Sequence, residues 1–205
     1  PVPGAMIASS LPPRGAFFEL DADRESAARL ARAASAAPPP SRLNTQRFGH
    51  FLEVSTDMLG CRYVGAGAHN NDVGAVQADH PVPHDRPVYY FELEVVSAGE
   101  KGTIAIGFAA RDFKLSRQPG WEPNSYGYHG DDGLKYHNNG RGEDYGPTYA
   151  AGDVVGAGFH LGRGEVFFTK NGEHLGVAYR GVGLPLLPTV GLHSPAEGGA
   201  APPRH

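Results

Sequence analysis

A cluster of histidine and aspartate residues in the middle of the chain is the first place where chemistry could occur. The stretch YHGDDGLKYHNNG, residues 128–140, contains His129, Asp131, Asp132 and His137. Imidazole and carboxylate groups so close in sequence could bind a metal ion or exchange protons. The stretch has neither the ligand spacing of a calcium loop nor that of a zinc site, and Asp-Asp-Gly is also typical of a tight turn. We therefore expect no metal here, although both interpretations fit the residue types.

Two glycine-rich runs resemble parts of a nucleotide-binding loop. GAGFHLG at residues 156–162 and GAGAHN at residues 65–70 both lack the complete GxGxxG pattern. No helical pattern follows either run, so neither offers a helix N-terminus to a pyrophosphate. Glycines in strand-like runs more often mark a bulge or a close approach of two backbones. We expect no nucleotide cofactor.

The sequence also lacks the signature of a nucleophilic hydrolase. The chain has ten histidines, so its composition allows a Ser/His/Asp triad, but no GxSxG motif is present. The single cysteine, Cys61, begins a strand-like run, where it would behave as a small apolar residue. We predict that the chain is not an enzyme and carries no cofactor.

The most distinctive run is PGWEPNSYGYHGDD, residues 119–132. It contains the only tryptophan, Trp121, together with Tyr126 and Tyr128. Large aromatic side chains near loops either fill the end of a hydrophobic core or act as anchors for a partner. Both roles stay open for Trp121 at this point.

Composition limits the classes of function that the chain can have. Its 205 residues suit one domain with tails, and its formal net charge is −4. No Lys/Arg cluster favours nucleic acid or an anionic membrane, and no apolar run approaches the ~20 residues of a membrane helix. No charged-then-apolar leader follows Pro1, and a lone cysteine fits a reducing compartment. We expect a cytoplasmic or nuclear location, or both, with no nucleic-acid or membrane partner.

The elements that must position these residues begin with a segment of unusual composition. Residues 1–43 are predicted to be flexible, with a short α-helix at about residues 22–36. Alanines and Leu30 recur there at helical spacing, but the apolar face is thin. The segment is either a docked helix or a linker with transient helicity.

From residue 44 onward the pattern is that of β-strands. In PVYYFELEVV, Phe91, Leu93 and Val95 alternate with glutamates, which predicts one buried and one solvated face. Turn signals separate further short runs, and Asn171-Gly172 is the dipeptide of a type I′ hairpin turn. The pattern predicts an all-β, antiparallel β-sandwich over residues 44–195. Residues 196–205 contain no strand-like apolar run and are predicted to be a disordered tail.

Several motifs, taken in order, resemble one family. They are YYFELEVVSAG, IAIGFAARDFKLSRQPGWEPNSYGYHGDDG, GEDYGPTYAAGDVVGAGFHL, VFFTKNGEHLG and LPTVGLHS. Together they resemble SPRY domains, and most narrowly those of the RanBPM type with their plant and algal homologues. The resemblance extends over about residues 44–195.

The resemblance implies a bent β-sandwich of two antiparallel sheets that performs no chemistry. It implies an interaction module whose loops bind short peptide segments of partner proteins. RanBPM-type proteins are scaffold subunits of the GID/CTLH ubiquitin ligase, so subunits of that ligase are possible partners. The alternative is a structural or assembly β-sandwich without a functional peptide pocket, which makes its contacts through a sheet face.

The resemblance places the peptide-binding surface on three loops, at residues 64–74, 111–121 and 192–194. The candidate contact residues on these loops are Val64, Ala66, His69, Asn70, Asn71, Phe113, Leu115, Trp121, Leu192 and His193. The two asparagines could pair with the main chain of an extended peptide, and Leu115 or Trp121 could supply apolar contact. Alternatively, some of these residues only close the sandwich.

One departure from the family pattern concerns the C-terminal end. RanBPM-type chains continue into a strand of the form VxxNFG and then into LisH, CTLH and CRA regions, whereas this sequence ends in AEGGAAPPRH. Without the closing strand, we expect one sheet edge to be left open, which favours mispairing. A fragment, a divergent terminus and an altered gene model are all consistent with this ending.

Overall fold

The computed structural model of the protein describes residues 38–183 and 185–201. The predicted helix at residues 22–36 therefore lies outside the described residues. Within the described part the regular structure consists of strands, and no helix there is long and apolar enough to cross a membrane. The prediction of an all-β fold is confirmed.

Fourteen strands make up this fold. Their bounds are β1 Leu43–Phe48, β2 Leu52–Val54, β3 Gly60–Tyr63, β4 Gly74–Ala78, β5 Val88–Ala98, β6 Ala105–Ala109, β7 Ser125–His129, β8 Leu134–His137, β9 Glu143–Asp144, β10 Val154–His160, β11 Glu165–Lys170, β12 Glu173–Tyr179, β13 Leu187–Leu192 and β14 Glu197–Ala200.

The strands form two seven-stranded antiparallel sheets. The first has the order β1-β4-β13-β6-β7-β8-β9 and the second β12-β11-β10-β5-β14-β3-β2. Late strands thus lie between early ones in both sheets. Each sheet contributes one face to a shared core, which is the sandwich that the alternating pattern predicted.

Alternation along β5 sets the inner face of the second sheet. Leu93 and Val95 are buried, and the strand pairs with β10 from Val88↔His160 to Glu94↔Val154. The Phe91 side chain packs across the core against the first sheet, and its ring contacts that of Phe108 edge-on, with 5.6 Å between the ring centroids. Phe108 is fully buried, and burying such a side chain stabilises the fold by about 1.5–3 kcal/mol.

The β11–β12 hairpin has the predicted turn. Asn171 and Gly172 both have positive φ, at 50° and 80°, as a type I′ turn requires. The Asn171 side chain also accepts a hydrogen bond from the Val154 N–H at 2.9 Å and donates one to Asp153 at 2.8 Å. These bonds tie the turn to the neighbouring strand β10.

The C-terminal prediction is wrong for residues 197–200. Instead of belonging to a disordered tail, Glu197–Ala200 form β14, which pairs with β5 on one side and β3 on the other. The expected open edge therefore does not exist at this position. Backbone hydrogen bonds on both sides hold the strand, so it needs no apolar run, and Gly199 lies where a Cβ would approach Leu93 Cδ1 to 2.7 Å.

Candidate functional site

The three predicted loops meet at one end of the sandwich, together with the β5–β6 loop that sequence analysis missed. The His193 ring lies with Nε2 2.9 Å from the His69 carbonyl, and the Arg117 guanidinium donates to the Asn70 carbonyl at 3.1 Å. Lys101 Nζ lies 3.5 Å from the Gly67 carbonyl. We call this region the loop surface; its residues are Val64, Ala66, His69, Asn70, Asn71, Lys101, Arg117, Trp121 and His193.

Trp121 lies half-buried at the centre of the loop surface. The Arg117 guanidinium stands 4.9 Å from its ring centroid, and the His193 ring meets it edge-on at 6.2 Å. Below, the indole packs against a small buried cluster that contains Val73 and Phe113. Trp121 therefore combines the two roles that the sequence left open, because it caps the core and remains partly accessible.

Arg117 fixes the position of the tryptophan loop. Its guanidinium forms an ion pair with Glu122 at 3.1 Å while it also bonds the Asn70 carbonyl of the neighbouring loop. Lys114 adds a second cation 3.3 Å from Glu122. Sequence analysis missed Arg117; an arginine four positions before the only tryptophan was the available signal, because the two side chains can stack.

The β3–β4 loop is held in one conformation by its own side chains. Asp72 accepts hydrogen bonds from the backbone N–H groups of Ala68 and His69, both at 3.1 Å. The Tyr63 hydroxyl donates to the Asp72 carbonyl at 2.6 Å and accepts from the Gly67 N–H at 3.1 Å. Desolvation by burial raises the pKa of Tyr63. These internal hydrogen bonds brace the loop without contributions from a ligand.

Five predicted contact residues of this loop are exposed. Val64 is 46% exposed, which is high for a large apolar side chain. Ala66, His69, Asn70 and Asn71 are also exposed. Their side chains can therefore meet a partner without a rearrangement of the backbone.

Two predicted contact residues lie in the core instead. Phe113 is 3% exposed and Leu192 is 0% exposed. Leu192 is the last residue of β13, and its side chain is buried in the core. Phe113 packs beneath the loop surface against Val73, Ala75 and Ala109. Direct contact of these two side chains with a ligand is contradicted by their burial. They close the sandwich, which was the alternative role.

Leu115 lies in a depression beside the loop surface. Phe48 and Phe51, which flank the β1–β2 turn, line this depression together with Asn71, Lys114 and Leu115. Asn71 belongs to both regions, since its Oδ1 lies 3.5 Å from Arg117. The sequence did not indicate that the β1–β2 turn contributes a wall.

The histidine–aspartate cluster has a structural arrangement. His129 is buried, with Nε2 2.9 Å from the Pro119 carbonyl and its ring stacked on Tyr136 at 4.0 Å. His137 stacks on Tyr126 at 4.3 Å, and Asp132 accepts from the Leu134 N–H at 2.9 Å in the tight turn. Among the described residues, no group of three or more His, Cys, Asp or Glu is placed to hold a metal ion.

Cys61 is also placed as a core residue. It is buried in β3, and desolvation raises the pKa of its thiol to about 12. The reactive thiolate form is therefore scarce near neutral pH.

A comparison with family models matches residues 88–203 to the SPRY domain. The Ran-binding protein M homolog of Arabidopsis thaliana is 46% identical over 179 residues, which cover 87% of this chain and 38% of that relative. Ran-binding protein 9 of Homo sapiens is 42% identical over 147 residues, which cover 72% of this chain and 20% of that relative. The chain thus spans well under half the length of these relatives.

Solved structures agree with the family match. A crystal structure of a human SPRY domain superposes with a TM-score of 0.66 and 34% identity, over 75% of this chain and 95% of that chain. The SPRY domain of human HERC1 superposes with a TM-score of 0.64 over 77% of this chain and 95% of that chain. At 17% identity, the HERC1 comparison supports the fold alone.

Proposed function

The chain belongs to the SPRY domain family, with Ran-binding protein M-like relatives, and from this premise we propose that it binds short peptide segments of partner proteins through the loop surface. Its homology to interaction modules supports a role in protein binding in general. The observation that supports the specific site is the convergence of separate loops around the half-buried Trp121.

The chemistry of the loop surface suits an extended peptide. Asn70 and Asn71 offer exposed amides that can pair with a peptide main chain. Trp121 and Val64 offer apolar area, and Leu115 extends that area into the neighbouring depression. Because the sandwich and the internal bonds of each loop hold these groups in place, binding orders few receptor residues, which favours affinity.

The proposal includes a cellular role. By its similarity to Ran-binding protein M relatives, the protein is proposed to act within a scaffold of a GID/CTLH-type ubiquitin ligase, in the cytoplasm or the nucleus, and not as an enzyme. Affinity purification from the native cell, followed by mass spectrometry, tests this role. Ligase subunits enriched with the wild-type chain would support it, and their absence would contradict it.

Peptide selection tests the binding mode directly. A library of displayed linear peptides is selected on the wild-type chain, and the affinity of the best sequence is measured by isothermal titration calorimetry. Trp121→Ala and Leu115→Asp are each expected to weaken binding by about tenfold or more, since central aromatic and aliphatic anchors dominate peptide affinity. Circular dichroism verifies that both variants remain folded.

A matched control separates this proposal from the sheet-face alternative. Val96 is 63% exposed on the outer face of β5, in a depression that it lines with Glu53 and Arg62 and with no residue of the loop surface, so Val96→Asp introduces the same carboxylate at an apolar residue outside that surface. It should leave peptide affinity unchanged. Full binding by both loop variants, or loss of binding in Val96→Asp alone, would overturn the loop proposal in favour of contacts through the sheet face.

A further inference from the structure

The carboxylate of Glu197, at the start of β14, is the most heavily hydrogen-bonded side chain near the loop surface. It is 0% exposed. Its Oε1 accepts from the Thr103 N–H at 2.6 Å, the Thr103 hydroxyl at 2.7 Å and the Ser194 hydroxyl at 2.6 Å. Its Oε2 accepts from the N–H groups of His193 at 2.6 Å and Ser194 at 2.9 Å. Every donor lies in the β5–β6 loop or the β13–β14 loop.

Among the described residues, the carboxylate has no cationic partner. Across residues 38–183 and 185–201, no lysine, arginine or histidine forms an ion pair with Glu197. A buried charge without a counter-ion is tolerated only when hydrogen-bond donors surround it. If the loops moved apart, both the charge and its donors would be left unsatisfied, so the arrangement of the donors is strongly fixed.

The network extends from Glu197 to the rest of the loop surface. Through Thr103, whose carbonyl accepts from the Gln118 amide at 2.6 Å, it reaches the loop of Trp121. The backbone N–H of Trp121 in turn donates to the Gln118 backbone carbonyl at 3.0 Å. Through Ser194, whose hydroxyl accepts from the Lys101 N–H at 3.1 Å, it reaches the β5–β6 loop. His193 carries it to the β3–β4 loop by its contact with His69.

We infer that Glu197 is a positioning residue for the loop surface: its buried carboxylate holds the β5–β6, β6–β7 and β13–β14 loops in the arrangement that receives a peptide. This inference rests on the proposed function for its peptide readout. It also makes a claim that needs no ligand, namely that the surroundings of Trp121 depend on Glu197.

The test compares two buried carboxylates. Glu197→Gln keeps the shape but places an amide N–H₂ among the donors. Glu165→Gln is the matched control: Glu165 is 8% exposed in β11, and its partners Arg163 and Arg180 lie outside the loop surface. Both variants should lower the melting temperature, because each disrupts a buried polar group.

Two further readouts distinguish positioning from general stability. Trp121 is the only tryptophan, so its fluorescence reports on the loop surface alone. Glu197→Gln should increase quenching of Trp121 by acrylamide and weaken binding of the display-selected peptide by about tenfold, measured below the melting transition. Glu165→Gln should change neither readout. If both variants lose affinity and gain quenching equally, or if Glu197→Gln changes neither, the inference is overturned.

A milder variant covers the case in which Glu197→Gln does not fold. Ser194→Ala removes one donor to Glu197 and the link to Lys101 while leaving the carboxylate and its other donors in place. It should shift both readouts in the same direction by a smaller amount, and unchanged quenching would contradict the inference. Failure to select any peptide would contradict the proposed function instead, while the quenching comparison would still decide the role of Glu197.

Discussion

At the scale of single residues, His129 links burial to the pH dependence of stability. Desolvation lowers its pKa from 6.5 to about 4, despite the contact with the Pro119 carbonyl. As the pH falls, the unfolded chain therefore binds a proton at this residue before the folded chain does. The contribution of His129 to the free energy of unfolding is therefore fully present above about pH 6.5, and it is lost as the pH falls from there towards about 4.

We expect this residue to account for about 2 kcal/mol of the free energy of unfolding lost between pH 7.5 and pH 4.5. Urea titrations at the two pH values measure the loss for the wild type and for His129→Gln. The variant should lose about 2 kcal/mol less than the wild type, whereas His84→Gln, at an exposed histidine, should behave as the wild type does. If His129→Gln loses as much free energy of unfolding as the wild type, burial does not lower the pKa of His129 in the folded state.

Side-chain direction explains which of the predicted contact residues are accessible on the loop surface and which are buried. The sequence identifies a loop with a distinctive tryptophan, and Trp121 lies at the centre of the loop surface. It does not reveal that Phe113 and Leu192 turn inward, because that depends on the path of each loop over the core. Thr103 could not be predicted either, since its partner Glu197 lies 94 positions away in the chain.

At the scale of elements, β14 is a strand where the sequence predicted a disordered tail, and the second sheet depends on it. It separates β5 from β3, so its loss would expose unpaired backbone groups on both of these strands. It would also remove the acceptor of the Thr103, His193 and Ser194 donors.

Ending the chain after Pro195 is therefore expected to abolish the cooperative thermal transition and to cause aggregation. The reason is that domains are stable by only about 5–15 kcal/mol in total. Differential scanning calorimetry and size-exclusion chromatography measure both effects. The control ends after Ala201, which keeps the bond from the Ala201 N–H to the Leu59 carbonyl at 2.9 Å, and it should melt as the full chain does. A chain ending at Pro195 that melts normally would show that β14 is dispensable.

Sequence patterns are informative for elements that obey a side-chain rule. The alternation in β5 and the Asn171-Gly172 turn were predicted correctly, because burial and positive φ leave a mark on residue type. Strand β14 has the sequence EGGA, in which the glycines have no side chains and the glutamate is buried. Its stability comes from partners elsewhere in the chain, so local propensity gives no signal.

At the scale of the whole molecule, the strand order joins the beginning of the described chain to its end. In the first sheet β13 lies between β4 and β6, and in the second β14 lies between β5 and β3. Neither sheet of the described chain is made of consecutive strands only, since each contains strands from both early and late in the sequence. The sandwich should therefore unfold as one unit.

We expect Trp121 fluorescence, which reports on the loop end, and far-ultraviolet circular dichroism, which reports on both sheets, to give the same unfolding midpoint in urea. The Glu165→Gln variant serves as a comparison, because its midpoint should move equally for both probes. A fluorescence transition well below the dichroism transition would show instead that the loop surface melts separately from the sheets.

The position of β14 near the end of the described chain also affects the order of events during synthesis. A chain emerges from the ribosome N-terminus first, so β3 and β5 leave the exit tunnel long before the strand that must insert between them. Until Glu197–Ala200 emerge, the nascent chain lacks both an interior strand of the second sheet and the carboxylate that accepts hydrogen bonds from Thr103, His193 and Ser194. On the proposed function, the loop surface would become able to bind a peptide only after translation of the domain is complete.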